Sequence, residues 1–161
     1  MSGVDFSNAM VVVTGAGAGI GQGIAQAFHA AGGRVALGDL RKDAVEHAAA
    51  GASRYCASKA GVVMFTRVLA MELAEQRINV NCIAPGYIKV DSGTSPPTSD
   101  FETALIKNTP WGRLGTPADI APAALFLASP AADYVTGEVL SVNGGAMAGR
   151  MYLPLSTPKA R

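Results

Sequence analysis

Residues 11–21 read VVVTGAGAGIG, and this stretch decides the fold. Three valines run into Thr14, with glycines following at positions 15, 17, 19 and 21. The pattern is that of a buried strand entering a tight turn that opens a helix. The helix continues through Ile20, Ile24, Ala27, Phe28 and Ala31, an apolar stripe at helical spacing that ends at Gly32-Gly33. Glycine serves three purposes here: a sharp turn, close approach of the backbone to a ligand, and tight packing of helix on strand. The unpaired N–H groups of the first helical turn, with the helix dipole, then form a site for an anionic phosphate. A flexible glycine-rich loop is the alternative, and the strand before and helix after argue against it.

The next apolar run outward is Arg34–Asp39, RVALGD, a second strand that ends in an acid. Asp39 lies 18 residues beyond Gly21, close to the spacing of about 20 at which an acid meets an adenosine ribose. A carboxylate there accepts hydrogen bonds from both ribose hydroxyls and repels a 2′-phosphate, which favours NAD over NADP. Arg41 softens that preference by offering a cation, and a strand-end aspartate can also simply cap the following turn. The fingerprint G-x-G-x-x-G fits no frame, because Ile20, Gln22 and Ile24 fall where its last glycine belongs. T-G-x-x-x-G-x-G does fit, at Thr14, Gly15, Gly19 and Gly21.

The bulk properties agree with a compact α/β domain. The chain has 161 residues, 49% of them apolar and 16% charged, one domain's worth of length and core. A single dinucleotide-binding domain over residues 1–149 is expected, with residues 150–161 as a tail. The net charge of +1 and the lack of a basic run give no footprint for nucleic acid or an anionic membrane. Cys56 and Cys82 make neither a disulfide framework nor a metal-ligand spacing, so no metal is expected and a reducing compartment is. The N-terminus carries no secretory pattern, and no run of apolar residues is long enough to span a bilayer. A soluble cytoplasmic protein is the expectation.

Further along, Arg41–Ala50 reads as a short alanine-rich helix, broken by Gly51-Ala52-Ser53. A long helix is expected from Tyr55 to about Gln76, through Val62, Val63, Phe65, Val68, Leu69 and Leu73. It is apolar on more than half its circumference, so one face should meet the sheet and the other a partner subunit. Ile78–Ala84 alternates as a strand and ends in the Pro85-Gly86 turn. Asp91–Asp100 has the composition and length of a lid loop, with a short helix at Phe101–Lys107. Thr116-Pro117-Ala118-Asp119 is a helix start with an N-cap threonine, proline at the first position and an acid at the third. Ile120, Ala124, Leu125 and Leu127 carry its buried side, and Pro122 disturbs its first turns. Thr136–Val142 is a last strand, closed by Asn143-Gly144-Gly145. Trp111 and Tyr87 either face a ring-shaped substrate or pack in the core.

Tyr55 and Lys59, four residues apart, share one helix face. A phenol with an ordinary pKa of about 10 is a poor base at neutral pH, and lowering it to 7–8 takes roughly 3–4 kcal/mol of preferential phenolate stabilisation. A neighbouring ammonium in a sheltered cleft supplies part of that. Y-x-x-x-K alone is weak, but after a glycine-rich turn and an acid-ended strand it becomes informative.

Together these features resemble the short-chain dehydrogenase/reductase family. The segment YCASKAGVVMFTRVLAMELA resembles its active-site helix, and INVNCIAPGYIKVD the next strand and turn. TPWGRLGTPADIAPAALFLASPAADYVTGEVLSVNGG resembles its C-terminal helix and strand, so the likeness spans about Ala9–Ala146. It implies a Rossmann-like, doubly wound parallel sheet and NAD(P)-dependent interconversion of a small-molecule alcohol and ketone. By the same resemblance Thr14, Gly15, Gly19, Ile20 and Gly21 cradle the pyrophosphate, while Asp39 and Leu40 lie at the adenine-side ribose. Tyr55 is the acid/base with Lys59 its partner, also holding the nicotinamide ribose. Pro85, Gly86 and Ile88 lie along the nicotinamide. Val90 stands where the family usually has threonine. A homo-oligomer through the Tyr55–Gln76 helix is the expected assembly.

The chain departs from the family between Ala50 and Gly51. Three strand–helix units, roughly 90 residues, are missing there, and with them the family's catalytic asparagine and serine. Ser53, two residues before Tyr55, is too close to inherit the serine's role. In the family order 3-2-1-4-5-6-7 the loss removes the strands beside the first. The sixth strand is then expected to close against the first in a four-stranded order 2-1-6-7, the crossover running through the helix of Tyr55. The other outcome is an apolar open edge. A catalytically inactive nucleotide-binding or dimerising remnant is the alternative function.

Overall fold

The computed structural model describes residues 4–16, 18–38, 52–90 and 99–148. In chain order the elements are β1 (Met10–Thr14), α1 (Gly19–Ala30), β2 (Arg34–Gly38), α2 (Ala52–Leu73), β3 (Cys82–Pro85), α3 (Ser99–Lys107), α4 (Pro117–Leu127) and β4 (Val139–Val142). Single 3₁₀ turns follow α2 and α4, at Ala74–Gln76 and Pro130–Ala132. The expected helix over Arg41–Ala50, residues 91–98 of the loop expected over Asp91–Asp100 and the tail from residue 150 lie outside the described residues, while Ser99 and Asp100 already belong to α3.

The first half is a β-α-β unit. β1 and β2 pair in parallel, from Met10 opposite Arg34 to Thr14 opposite Gly38. Alternate residues of β1 face α1, so Val13 joins Ala16 and Ala25 in a small core against which Val11, Ile24 and Val35 pack. At the far end of α1, Phe28 meets Phe6 edge to face, ring centres 4.9 Å apart. Gly32 at φ 89° lets the helix end as its sequence indicates, and the Gly33 amide donates to the Phe28 carbonyl.

The second half repeats the plan with β3, α4 and β4, in which Cys82 lies opposite Val139 and Pro85 opposite Val142. The strand expected over Ile78–Ala84 begins only at Cys82. Side chains rather than a ladder hold the residues before it. Asn79 donates to the Ala132 and Asp133 carbonyls, and Asn81 donates to Val135 O while accepting from the Glu138 amide. The last strand is likewise shorter than Thr136–Val142, because the Thr136 hydroxyl accepts from the Val80 amide instead of extending the ladder. α4 begins as expected: Thr116 donates through its amide and its hydroxyl to the Asp119 carboxylate. Ile120 and Ala121 are buried, and Pro122 sits on an exposed face without ending the helix.

The expected four-stranded order is not formed. Among the described residues there are two separate two-stranded parallel sheets, β1-β2 and β3-β4. Closing them into one would require α2 to lie across β1 as well as β3. α2 packs on β3, with Thr66 and Ala70 buried, while Met10 and Val12 on the bare face of β1 stay 67% and 70% exposed. The halves are joined instead by α1 against α4. Gly23 makes that crossing possible, since a Cβ there would lie 2.6 Å from Pro117 Cβ. On α2, Val62, Met64, Phe65, Val68 and Met71 remain exposed, and no described helix is long and apolar enough to cross a membrane.

Candidate functional site

The turn after β1 is shaped for a ligand at its mouth. Gly15 and Gly19 take positive φ values of 68° and 59°, a backbone region L side chains rarely occupy. Gly21 is required for another reason: a Cβ there would run into the Gly15 carbonyl oxygen. The first turn of α1 therefore rests directly on the loop that precedes it. Ala18, the extended N-cap, supplies no side-chain hydrogen bond, and the Gln22 amide reaches Ala18 O at 3.4 Å. The opening N–H groups of α1 are thus left without a side-chain cap, at the positive end of a three-turn helix. Open space surrounds the Cβ position of Gly15. The residues fit a pyrophosphate group in this cradle, through backbone N–H groups rather than side-chain cations.

The segment after β3 closes the other side. Val90 Cγ1 lies 3.1 Å from the Cβ position of Gly19, and Gly19, Gln22, Lys89 and Val90 border a cavity of about 190 Å³. Lys89 is held by Glu102 of α3 at 3.0 Å. Ile88 pairs with Gly115, and two backbone hydrogen bonds, Lys89 N–H to Gly115 O and Gly115 N–H to Tyr87 O, fix the segment to the start of α4. Gly86 permits a close approach, since a Cβ there would lie 2.8 Å from Asn143 Cα. Of the expected site residues, the structure thus brings Gly15, Gly19 and Gly21 to one end of β1, with Thr14 exposed at the strand end and Ile20 half-buried. Pro85, Gly86 and Ile88 lie at the carboxyl end of β3.

Asp39 and Leu40 lie outside the described residues. Tyr55 belongs to the first turn of α2, its side chain being outside the described part, and Lys59 is one turn further along with an exposed side chain. Among the described residues α2 packs chiefly on β3. Two features went unread in the sequence. Arg113 grips Asp119 with two hydrogen bonds of 2.8 and 2.7 Å, and this guanidinium, with the Thr116 donors, holds the Asp119 carboxyl well below the usual carboxylate range. The only sequence signal was an arginine shortly before an N3 acid. The second is a cavity of about 300 Å³ between the Gly86, Trp111 and Asn143 loops, whose walls come from three separate segments. The described residues contain no cluster of three or more metal-ligating side chains.

A family described as enoyl-(acyl carrier protein) reductase matches residues 43–147, more than half of the chain. The chain belongs to the short-chain dehydrogenase/reductase family. Among curated relatives, the 3-oxoacyl-[acyl-carrier-protein] reductase of Vibrio harveyi is 50% identical over 96 residues, 60% of this chain and 39% of the reductase. The 7alpha-hydroxysteroid dehydrogenase of Escherichia coli is 48% identical over 91 residues, 56% of this chain and 36% of that enzyme. The chain therefore matches well under half the length of these relatives. Among solved structures, a 2-deoxy-d-gluconate 3-dehydrogenase from Agrobacterium tumefaciens with bound NADP superposes with a TM-score of 0.76 at 26% identity. That superposition covers 90% of this chain and 98% of the neighbour, as expected of a short-chain dehydrogenase whose missing part is internal. The fold class, Rossmann-like and shortened, follows from the same likeness.

Proposed function

We propose that the chain is an NAD(P)-dependent oxidoreductase of the short-chain type, interconverting a small-molecule alcohol and a ketone. The observation that carries the reading is the glycine turn feeding an uncapped helix N-terminus, with the Pro85–Val90 segment closing its far side. Thr14, Gly15, Gly19, Ile20 and Gly21 hold the diphosphate; Pro85, Gly86 and Ile88 border the nicotinamide end. The bound dinucleotide supplies or accepts the hydride. Tyr55 donates the proton to the carbonyl oxygen or removes it from the alcohol, and Lys59 favours the phenolate and holds the ribose. An acid at Asp39 supports NAD, whereas Arg41 and the NADP bound in two similar structures support NADP. A homo-oligomer through the exposed apolar face of α2 completes the proposal, with no nucleic-acid or membrane partner and a cytoplasmic location.

Titration of the purified chain with NADH and NADPH, followed by turnover on simple ketones and alcohols, tests it. Tyr55→Phe is expected to lower turnover at least 100-fold with dinucleotide affinity nearly unchanged; unchanged turnover refutes the catalytic assignment.

A second reading is supported by the separated sheets and by α2 packing chiefly on β3 among the described residues. In it the chain binds the dinucleotide without turnover. Binding that is lost in Gly19→Val and indifferent to Tyr55→Phe, with no turnover in the parent chain, selects this reading.

A further inference from the structure

The cavity at the carboxyl ends of β3 and β4 has a distinct chemistry. Its volume, about 300 Å³, falls at the lower end of small-molecule sites. Two aromatic side chains stand in its wall, Tyr87 at 51% and Trp111 at 73% exposure. Trp111 is the chain's sole tryptophan. Its loop is fixed from behind, because the Trp111 amide donates to Gly144 O and the Cβ position of Gly144 lies 3.1 Å from Trp111 Cβ. The indole is therefore held in place yet left open, a large apolar ring without a covering group among the described residues.

The polar part of the wall is neutral. Arg113 and Asp119 cancel each other in a two-bond ion pair, so the cavity offers no net charge to an anion or a cation. Donors remain. Asn143 Oδ1 accepts from the Gly145 amide, which fixes the side chain and leaves its N–H₂ without an acceptor among the described residues. Arg113 spends three of its five N–H bonds on Asp119 and the Leu114 carbonyl.

We propose that this cavity binds an uncharged, planar ring compound bearing an acceptor oxygen, the ring lying against the Trp111 indole and the oxygen accepting from Asn143 or Arg113. The cavity shares Gly86 and Ile88 with the segment assigned to the nicotinamide end, so the proposal rests on that reading and names the class of compound bound beside it.

The test is isothermal titration of the full chain with 2-acetylnaphthalene, in the absence of dinucleotide. One-to-one binding is expected, at least tenfold weaker in Trp111→Ala and in Tyr87→Ala. Both side chains are largely exposed, so circular dichroism should show the fold retained. Two matched probes read the polar wall: 2-ethylnaphthalene, which lacks the oxygen, and 2-naphthoate, which is charged, should each bind at least fivefold more weakly. Absence of binding, equal binding by either variant, or equal binding by either matched probe overturns the proposal. Because the probe is titrated without dinucleotide, the two failures are distinguishable: loss of probe binding with NADH binding intact overturns this proposal alone, and loss of NADH binding with probe binding intact overturns the dinucleotide reading.

Discussion

The two β-α-β units share a plan and differ in how they are held. In the unit of β1, α1 and β2, apolar packing on one face dominates among the described residues: Val13, Ala16, Ala25 and Phe28 are buried, while Met10, Val12 and Leu37 stay open. In the unit of β3, α4 and β4, asparagines brace the strand entry, a capping box opens the helix and an arginine clamps its acid. α2 covers part of the second face. The first unit carries the proposed phosphate cradle, and among the described residues the second carries most of the long-range side-chain hydrogen bonds. Ligand-binding segments are often drawn from the least stable part of a fold, and here that division follows the seam between the sheets.

Substitutions separate the two units by the size of their effects. The largest is expected at Ile120, 1% exposed in α4, where Ile120→Ala should cost about 4 kcal/mol in urea denaturation. Asn81→Ala removes the bonds to Val135 O and from the Glu138 amide, a loss of about 2 kcal/mol; the same measurement should show it, with hydrogen exchange rising first at residues 78–82.

Asp119→Asn should cost about 1 kcal/mol near neutral pH, with a pH signature. The native carboxyl titrates below its unfolded value, so its contribution is fully present above about pH 4. It is lost as pH falls through the native value. The difference in melting temperature between parent and variant should thus be constant from pH 7 to 5 and shrink below 4. A difference that instead grew on acidification would contradict the clamp.

The smallest effect is expected in the first unit. Val12→Thr, on the open face of β1, should change stability by no more than about 0.5 kcal/mol. A loss approaching that of Ile120→Ala would show that the face of β1 is covered in solution, and would erase the difference between the two units.

Local chemistry was well marked in the sequence. The glycine pattern gave the β1–α1 turn, Gly32-Gly33 the helix end, and Thr116 with Asp119 the start of α4, because each depends on residues within a few positions of one another. What was not legible depends on partners distant in the chain. The shortening of the strands after Arg77 and before Val139 follows from Asn79, Asn81 and Thr136 reaching across more than fifty positions. Whether β1 would join β3 was settled by where α2 lies, which no periodicity encodes. The Trp111 cavity was hidden for the same reason, although Tyr87 and Trp111 stood out as aromatics with two possible roles.

The crossing of Gly23 over Pro117 has a mechanical consequence. Glycine contributes no side chain and proline no amide, and among the described residues no hydrogen bond spans α1 and α4. Dispersion resists pulling such a joint apart, but nothing directional sets its register. The crossing is set by close packing alone, with Val90 beside the Cβ position of Gly19 at its edge.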